Sequence, residues 1–357
     1  MADDFKYHID HHSGLIPPAE LVEARTARTR GKIGDEELRA RQDQAIKDAL
    51  RAQRRIGLAA VGDGQFRRRN GLAPYYDRIE GFGGQEAARG AVAELVGQRL
   101  APEYRPLTGT PKALGRLVEN ETAFLVGAIQ RPLLISLPAP GFVAELCDAA
   151  EPDAEALAAI VHDEIEALAR DGVAYVQLHN PLTGILLTRA GRDRATLLGL
   201  DPDALLARMR AADAKAIEAL DVPEDFRVAL DLTTSGAGHD HQGYDVPTTT
   251  AFLADQPFQR LCVEYPAAEQ ARFPIGLLPP ASVVALGIVD VATAEPEDVD
   301  DLVDRIDKAA SVLDIDDIAL STNGPFTASP APLTEAEQHA KLQLVEMTAR
   351  YFWGNEL

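Results

Sequence analysis

The fold is decided by five short apolar runs: AYVQLHNP (174–181), VALDLTTSG (228–236), RLCVEYP (260–266), VVALGIVD (283–290) and IALSTNGPF (318–326). Each run is rich in β-branched and aliphatic residues and ends in polar ones. Near-continuous apolar runs of this length predict strands that are buried on both faces, as in a parallel sheet. Because a barrel builds its active site at the carboxyl ends of its strands, the polar ends also predict where the site lies.

Three earlier runs complete the series: FKYHIDHHSG (5–14), IGLAAVGDG (56–64) and RPLLISLPAPG (131–141). Stretches with helical periodicity separate the runs, including residues 151–172 and 295–314, and residues 334–352 predict a last helix that closes the barrel. Eight strands that alternate with helices predict an α/β protein, a (β/α)8 TIM barrel formed as a single domain over residues 1–357. A doubly wound open sheet is the alternative.

Two segments lie outside the regular alternation of strands and helices. Residues 35–55 predict a helix before the second strand, which makes an N-terminal helical extension. Residues 67–105 form an excursion between the second and third strands that contains several glycines and arginines. We expect this excursion to fold over the barrel mouth or to supply a hairpin.

The composition restricts the possible partners. With 46% hydrophobic and 25% charged residues, the chain is typical of a soluble globular protein. A formal net charge of −21 argues against a nucleic-acid backbone or an anionic membrane as partner. No apolar run approaches the roughly 20 residues of a membrane helix, and two cysteines are too few for a disulfide scaffold, which predicts the cytoplasm. We expect a small-molecule partner and a monomer or homodimer.

The strand ends collect titratable and hydrogen-bonding side chains. Any one of them could simply cap the helix that follows its strand. Their joint placement is what predicts a site, because the carboxyl ends of the strands meet at one mouth. In chain order these side chains are Asp10, His11, His12, Ser13, Asp63, Gln65, Arg67, Arg68, Arg69, Ser136, Gln177, His179, Asn180, Asp231, Thr233, Glu264, Asp290, Ser321 and Asn323, with His239, Asp240 and His241 in a loop after the fifth strand.

Several segments resemble the cobalamin-independent methionine synthase family, and most closely its short, single-barrel members. The resemblance covers nearly the whole chain and includes VGDGQFRRRN (61–70) and DEIEALARDGVAYVQLHNP (163–181). Its most specific parts are the block within VALGIVDVATAEPEDVDDLVDRI (284–306) and the segment LTEAEQHAKLQLV (333–345). It implies a (β/α)8 barrel that transfers a methyl group from a folate to an acceptor thiol. It also implies a zinc ion that binds the thiol as thiolate and lowers its pKa.

The sequence departs from this family pattern at the metal. Asp231 and Thr233 stand where the family has a histidine and a cysteine, and Asn323 replaces a second cysteine. The strand-six glutamate is kept as Glu264. Because both sulfur ligands are gone, the remaining oxygen ligands suit a hard cation such as magnesium, or no metal, better than a thiolate-binding zinc. We therefore predict no metal ligand among these residues, and we expect Cys262 to be a buried structural residue.

The acceptor-binding motif of the family is also changed. Where the family has Gln-x-Asp-Glu, this chain has Gln177, His179 and Asn180, so both carboxylates that would bind an amino-acid ammonium group are lost. His179 supplies instead a group that titrates near neutrality. At the end of the second strand Asp63 is kept, whereas Gln65 replaces a glutamate.

Histidines and arginines provide the remaining candidates. Arg67 and Arg68 match basic residues of the family, and in so acidic a chain they predict either a solvated surface patch or capture of a carboxylate or phosphate. His11 matches a histidine at the end of the family's first strand. The loop that carries His239 and His241 is either a flexible polar loop or a His/Asp metal site.

Three functions are consistent with these residues. The first is transfer of a methyl or small alkyl group, without zinc, to a small acceptor that can be anionic, with a folate as candidate donor. The second is a metal-free lyase, decarboxylase or isomerase in which His179, Asp231 and Glu264 act as acid and base. The third is a non-catalytic paralogue that only binds. The catalytic candidates are His11, Asp63, His179, Asn180, Asp231, Glu264 and Asn323, and the substrate-binding candidates are Arg67, Arg68, Gln177, Thr233, Ser321, His239 and His241.

Overall fold

The computed structural model describes residues 7–85, 90–128, 131–236, 243–328 and 333–354. The strands are β1 (Ile79–Phe82), β2 (Leu107–Ala113), β3 (Leu134–Pro138), β4 (Tyr175–His179), β5 (Arg227–Asp231), β6 (Arg260–Glu264), β7 (Val283–Val289) and β8 (Ile318–Thr322). The α-helices are α1 (Ala19–Thr29), α2 (Asp35–Ile56), α3 (Ala73–Arg78), α4 (Ala91–Leu100), α5 (Glu119–Leu125), α6 (Pro140–Leu146), α7 (Glu151–Arg170), α8 (Pro181–Leu186), α9 (Arg189–Leu197), α10 (Pro202–Ile217), α11 (Val246–Ala254), α12 (Val299–Ala310) and α13 (Glu335–Trp353).

Strands β3 to β8 form one parallel sheet, in which neighbours along the chain are also neighbours in space. Strands β3, β6, β7 and β8 are buried at every position, as their apolar runs predict. The register brings the polar strand ends together, since His179 at the end of β4 lies beside Asp231 at the end of β5. The sheet therefore places side chains from distant parts of the sequence at one edge.

The first two predicted strands differ from the prediction. Each appears as a single parallel bridge, Ile9 beside Leu320 and Val61 beside Leu133, so the two segments meet opposite edges of the six-stranded sheet without extending its ladder. The second segment leaves extended geometry at its end, because Gly64 and Gln65 both have positive φ angles, of 72° and 59°.

The two faces of the sheet carry separate cores. Large aliphatic side chains fill the space between the sheet and the surrounding helices. On the other face, mostly small residues from the two bridging segments and all six strands form a second cluster: Ala60, Leu134, Tyr175, Ala229, Cys262, Ala285 and Ala319, with Tyr7 packed against it. This inner cluster contains Cys262, which is buried as we expected.

The excursion before β3 contains a two-stranded sheet whose strands are connected through a helix, and not by the short turn of a hairpin. Strands β1 and β2 pair antiparallel, with Ile79 beside Ala113. The second strand begins at Leu107, just beyond the predicted limit of residue 105, and α4 lies between the two strands. This arrangement brings the end of α4 to the carboxyl ends of the sheet strands, where a cavity opens.

The predicted helices are present, but α12 is shorter than the predicted range of residues 295–314. Helix α2 covers the predicted N-terminal extension, and α7 ends next to Gly172, whose φ angle is 91°. Helix α12 begins only at Val299, because the Asp298 side chain caps it by accepting from the backbone N–H groups of Asp300 and Asp301. Within the described segments, no helix is both long and apolar enough to cross a membrane.

Candidate active site

A cavity of about 570 Å³ opens at the carboxyl ends of β3, β4 and β5. These three strands contribute Ser136, His179 and Asp231 to its wall. The wall also includes residues 12–17, 64–66 and 68–72, the end of α4, the loop after β8, Arg25 of α1 and Phe142 of α6. Side chains from widely separated segments therefore meet around one space large enough for a small molecule.

His12 and Asp231 form a buried ion pair on this wall. His12 Nδ1 lies 2.8 Å from Asp231 Oδ2, and the two side chains are 3% and 1% exposed. His12 Nε2 lies 3.1 Å from the Thr322 carbonyl oxygen, so both ring nitrogens face acceptors, as an imidazolium requires. Burial alone would lower the pKa of His12, but the Asp231 carboxylate raises it above its ordinary value. Burial would likewise raise the pKa of Asp231, but the charge of His12 lowers it to about 2.

The second oxygen of Asp231 positions Thr233, and Thr233 positions His179. Asp231 Oδ1 accepts from the Thr233 backbone N–H at 3.0 Å and from its hydroxyl at 2.7 Å. The Thr233 carbonyl oxygen lies 2.9 Å from His179 Nε2. Because a carbonyl can only accept, this nitrogen carries the proton, and a neutral His179 ring then has its lone pair on Nδ1. The half-buried His179 ring lines the cavity.

Four arginines line the same cavity in a chain with a strongly negative net charge. Arg68 is buried and gives two parallel hydrogen bonds to Glu121, at 2.7 and 2.8 Å. Arg69 is paired with Asp77 and Glu103. These two arginines are therefore already neutralised by the protein.

The other two lining arginines lack such partners. Arg25 on α1 donates to the backbone carbonyls of Phe66 and Arg68, at 2.9 and 3.1 Å. Arg99 on α4 is exposed. Within the part of the chain that the structure describes, neither forms a salt bridge. The predicted anion-binding residue Arg67 does not line this cavity; it pairs with Asp43 at 2.5 Å.

The predicted residues at the ends of β6 and β8 do not line the cavity. Glu264 is 2% exposed, and its Oε1 accepts from the backbone N–H and the hydroxyl of Thr234, both at 2.6 Å. Asn323 accepts from the Val291 backbone N–H at 2.9 Å and donates to Asp290 at 2.8 Å. Both side chains are thus engaged in holding loops.

The zinc site that the resemblance implies does not fit these residues. Thr233 and Asn323, which stand at the cysteine positions, offer no thiolate and are both engaged in hydrogen bonds. Across the described residues, no three His, Cys, Asp or Glu side chains converge as metal ligands would. Burial raises the pKa of Cys147 to about 12 and that of Cys262 well above its ordinary value, so neither is a ready thiolate.

Three further predicted residues are buried away from the cavity. The Asn180 side-chain oxygen Oδ1 caps α8 by accepting from the Thr183 backbone N–H, and its Nδ2 donates to Asp213 at 2.7 Å. Gln177 Nε2 donates to Asp10 at 3.1 Å, within the inner face of the sheet. Ser321 is 1% exposed within β8. Each of these side chains lies among protein groups and none lines the cavity.

His11 and Asp63 lie behind the wall. The His11 ring spans from the His12 carbonyl oxygen to that of Ala60, with both distances 2.9 Å, and so joins the two bridging segments. Burial lowers the pKa of His11. Asp63 accepts from the Gln65 backbone N–H at 2.8 Å, and burial raises its pKa to about 7. Neither side chain lines the cavity.

His12 and Arg25 line the wall but were not among the catalytic and substrate-binding candidates, although His12 belonged to the strand-end set. The sequence signal for His12 was present, because adjacent residues of an extended segment point to opposite sides and one of His11 and His12 must face the mouth. Arg25 could not be predicted, because the sequence of a helix does not show which part of the protein its surface residues face. His239 and His241 lie outside the described residues.

Two Bacillus subtilis proteins are similar to this chain, whereas no family model matches it. The uncharacterized protein YxjH is 26% identical, with 97% of this chain and 95% of that protein covered. The uncharacterized protein YxjG is 24% identical, with coverage of 97% and 95%.

Solved structures that are similar in fold include the following three. A putative vitamin-B12 independent methionine synthase from Listeria monocytogenes has a TM-score of 0.76 at 21% identity, with 98% of both chains covered. A B12-independent methionine synthase from Shewanella sp. W3-18-1 has a TM-score of 0.68 at 18% identity, with 90% of both covered. A methyltransferase from Methanosarcina mazei has a TM-score of 0.53 at 12% identity, with 97% and 94% covered. The chain therefore has a methionine-synthase-like α/β fold.

Proposed function

We propose that this protein is an enzyme that transfers a methyl or other small alkyl group to a small acceptor, with His179 as the general base. The observation that carries the proposal is the state of the His179 ring, whose Nε2 donates to the Thr233 carbonyl at 2.9 Å while the ring lines the cavity. This arrangement leaves Nδ1 as the proton acceptor of a neutral ring. The similarity in fold to methionine synthases and a methyltransferase supports the reaction class.

In the proposed step, His179 Nδ1 takes the proton of the acceptor's thiol or hydroxyl group. The freed electron pair attacks the alkyl carbon, and the bond from this carbon to the donor breaks with its electrons on the donor. The proton on His179 is then available to the donor's leaving atom. The His12–Asp231 pair keeps its charges throughout, and it holds the Thr233 carbonyl that orients His179. A folate is the candidate donor.

The proposed reaction does not use zinc. Its support is the donor chemistry at the metal position, where Asp231, Thr233, Glu264 and Asn323 offer oxygen or amide groups that already bind protein partners. General-base removal of the acceptor proton replaces the activation that a metal-bound thiolate would supply.

Proton transfer without an alkyl donor, as in a decarboxylase or lyase, is the second candidate. The arginines of the cavity favour it, because a carboxylate substrate would bind there. His179 would serve either reaction, so the product distinguishes them. A non-catalytic paralogue that binds the same ligand without turnover is the third candidate.

The proposal also includes the finer architecture. We propose that the six-stranded sheet closes into a (β/α)8 barrel in a single domain. The support comes from the bridges at both sheet edges and from the His11 ring between the two bridging segments. Two buried free cysteines are compatible with the proposed cytoplasmic location. A small molecule as partner and a monomer or homodimer complete the proposal.

The test compares turnover of the wild type and the His179→Gln variant with isotope-labelled methyl donors, including a methylated folate, and a panel of small thiols and hydroxy acids. Glutamine retains an N–H for the Thr233 carbonyl but has no proton-accepting nitrogen, so we expect turnover to fall by roughly 100-fold or more. His162→Gln is the matched control, because His162 lies on α7 beside Glu166 and outside the cavity.

Each result of this comparison has a defined meaning. Label in the acceptor, lost in His179→Gln and kept in His162→Gln, supports the transfer reaction. Turnover of a substrate without incorporation of label supports the proton-transfer candidate. Full turnover in His179→Gln contradicts the assignment of His179 as the base.

A further inference from the structure

We infer that the cavity selects a small anion that lacks an ammonium group, such as a thiol or hydroxy carboxylic acid, rather than an α-amino acid. The inference rests on the proposed function only in taking this cavity as the substrate site. Its basis is the charge on the wall. Among the lining residues that the structure describes, Asp231 is the sole carboxylate, whereas Arg25, Arg68, Arg69 and Arg99 are cations.

The single carboxylate is not available to a ligand. Asp231 Oδ2 lies 2.8 Å from His12, and Oδ1 accepts two hydrogen bonds from Thr233 at 3.0 and 2.7 Å. The Asp231 side chain is 1% exposed. An ammonium group that entered the cavity would lose its hydration and find no free carboxylate on the described wall, which makes its binding unfavourable.

Arg25, by contrast, is a half-buried cation without a counter-charge among the described residues. Its guanidinium is fixed by the Phe66 and Arg68 carbonyl oxygens at 2.9 and 3.1 Å, and it forms no salt bridge with a described carboxylate. Burial lowers the pKa of Arg25, as expected for a charge that is removed from water and not paired. A bound carboxylate would supply the missing counter-charge in a geometry that a guanidinium favours.

The remaining arginines differ in position: Arg68 and Arg69 lie in the cavity wall, and Arg99 lies at the cavity mouth. Arg68 and Arg69 are paired with protein carboxylates, so they shape the wall without attracting a further anion. Arg99 is exposed, and within the described residues it is unpaired, so it offers a second contact at the mouth. Two available cations and no available carboxylate are the signature of an anion site.

The experiment is a calorimetric comparison of homocysteine with 4-mercaptobutanoate under reducing conditions. The two probes have the same carbon chain, thiol and carboxylate and differ only in the α-ammonium group. We expect 4-mercaptobutanoate to bind at least roughly tenfold more tightly, because homocysteine must bury an unpaired ammonium group.

Two substitutions test the cause of this preference. Arg25→Gln removes the unpaired cation and should weaken 4-mercaptobutanoate binding by roughly tenfold or more, whereas Arg30→Gln, an exposed position next to the end of α1, should change it by less than about twofold. Gln65→Glu adds a carboxylate to the wall next to Ser13 and should narrow or reverse the preference between the two probes.

Equal or tighter binding of homocysteine to the wild type would overturn the inference, because a carboxylate would then have to reach the ammonium group. Failure of both probes to bind would overturn it as well. Binding measurements on the His179→Gln variant distinguish a failure of this inference from a failure of the proposed function. If that variant retains the ligand preference and wild-type turnover cannot be detected, the transfer reaction fails and the charge assignment stands.

Discussion

The mouth of the sheet has two halves that differ in how their polar side chains are used. We call the first the open half (His12, His179 and Asp231), which lines the cavity. We call the second the closed half (Glu264, Asp290 and Asn323), whose side chains accept from loop backbone N–H groups, with a further hydrogen bond between Asn323 and Asp290. Both halves lie at strand ends, where an active site is expected. The difference teaches that a position at a strand end does not by itself make a residue catalytic. The side chain must also face the cavity with a nitrogen or oxygen that is not already bound by the protein.

The closed half does not face the cavity, because the loop after β5 is in contact with the loop after β8. The Ser235 backbone N–H donates to the Asn323 carbonyl at 3.1 Å, which ties the loop after β5 to the loop after β8. Gly324 has a φ angle of 152°, and a Cβ atom there would lie 2.8 Å from the Ser235 backbone nitrogen. Glycine is therefore needed for this close approach. Glu264 completes the closure by accepting from the loop at Thr234.

The largest expected effect comes from breaking the ion pair of the open half. Asp231→Asn leaves a buried His12 without its counter-charge, which should lower the free energy of unfolding by about 3–5 kcal/mol near pH 5.5. Because the pKa of His12 is raised, its contribution is complete below about pH 6.5 and is lost as the pH rises through the folded-state value. Because the pKa of Asp231 is lowered from 3.8 to about 2, its contribution is lost only as the pH falls below about 4. The measurement is denaturant unfolding at several pH values.

The control for this prediction is Asp48→Asn, which removes an exposed pair with Arg51 on α2. Exposed pairs of this kind contribute about 0.5 kcal/mol or less, so this variant should unfold almost as the wild type does. A loss in Asp231→Asn that is equally small, or that does not shrink between pH 5.5 and pH 9, would contradict a charged pair in the open half.

A smaller effect is expected in the closed half. Glu264→Gln keeps an oxygen that can accept from Thr234 but removes the charge, so the unfolding free energy should fall by about 1–2 kcal/mol. Turnover and ligand affinity should stay within roughly threefold of the wild type, because Glu264 does not line the cavity. A loss of turnover near 100-fold in a folded Glu264→Gln protein would show that Glu264 takes part in the reaction. The distinction between the two halves would then be wrong.

Much of the fold could be predicted because its signals are local. The apolar runs mark β3 to β8, and the helical periodicity marks α7, α12 and α13, although the start of α12 was predicted too early because the cap at Asp298 was not recognised. The first two runs gave single bridges, since pairing also depends on how the segment continues, and the second run turns at Gly64 and Gln65 with positive φ angles. Hydrophobicity alone does not report such a turn.

The candidate site was less predictable because it depends on distances between segments. His179 and Asp231 were found from their strand ends, and both line the cavity. His12 was passed over in favour of its neighbour His11, because the sequence does not show which of two adjacent side chains faces the mouth. The sequence also does not show which arginines face the cavity. Arg67 was predicted to bind an anion but pairs with Asp43 on α2, whereas Arg25 lines the cavity from α1.

The central claim is that His179 presents an unprotonated Nδ1 to the cavity while His12 is held charged beside it. Side-chain ¹⁵N NMR of the histidines tests this claim most directly. We predict a proton on Nε2 and none on Nδ1 of neutral His179, a Nδ1 resonance that shifts when 4-mercaptobutanoate binds, and protons on both ring nitrogens of His12 at pH 6. A proton on Nδ1 of neutral His179, or a neutral His12 ring at that pH, would contradict the account.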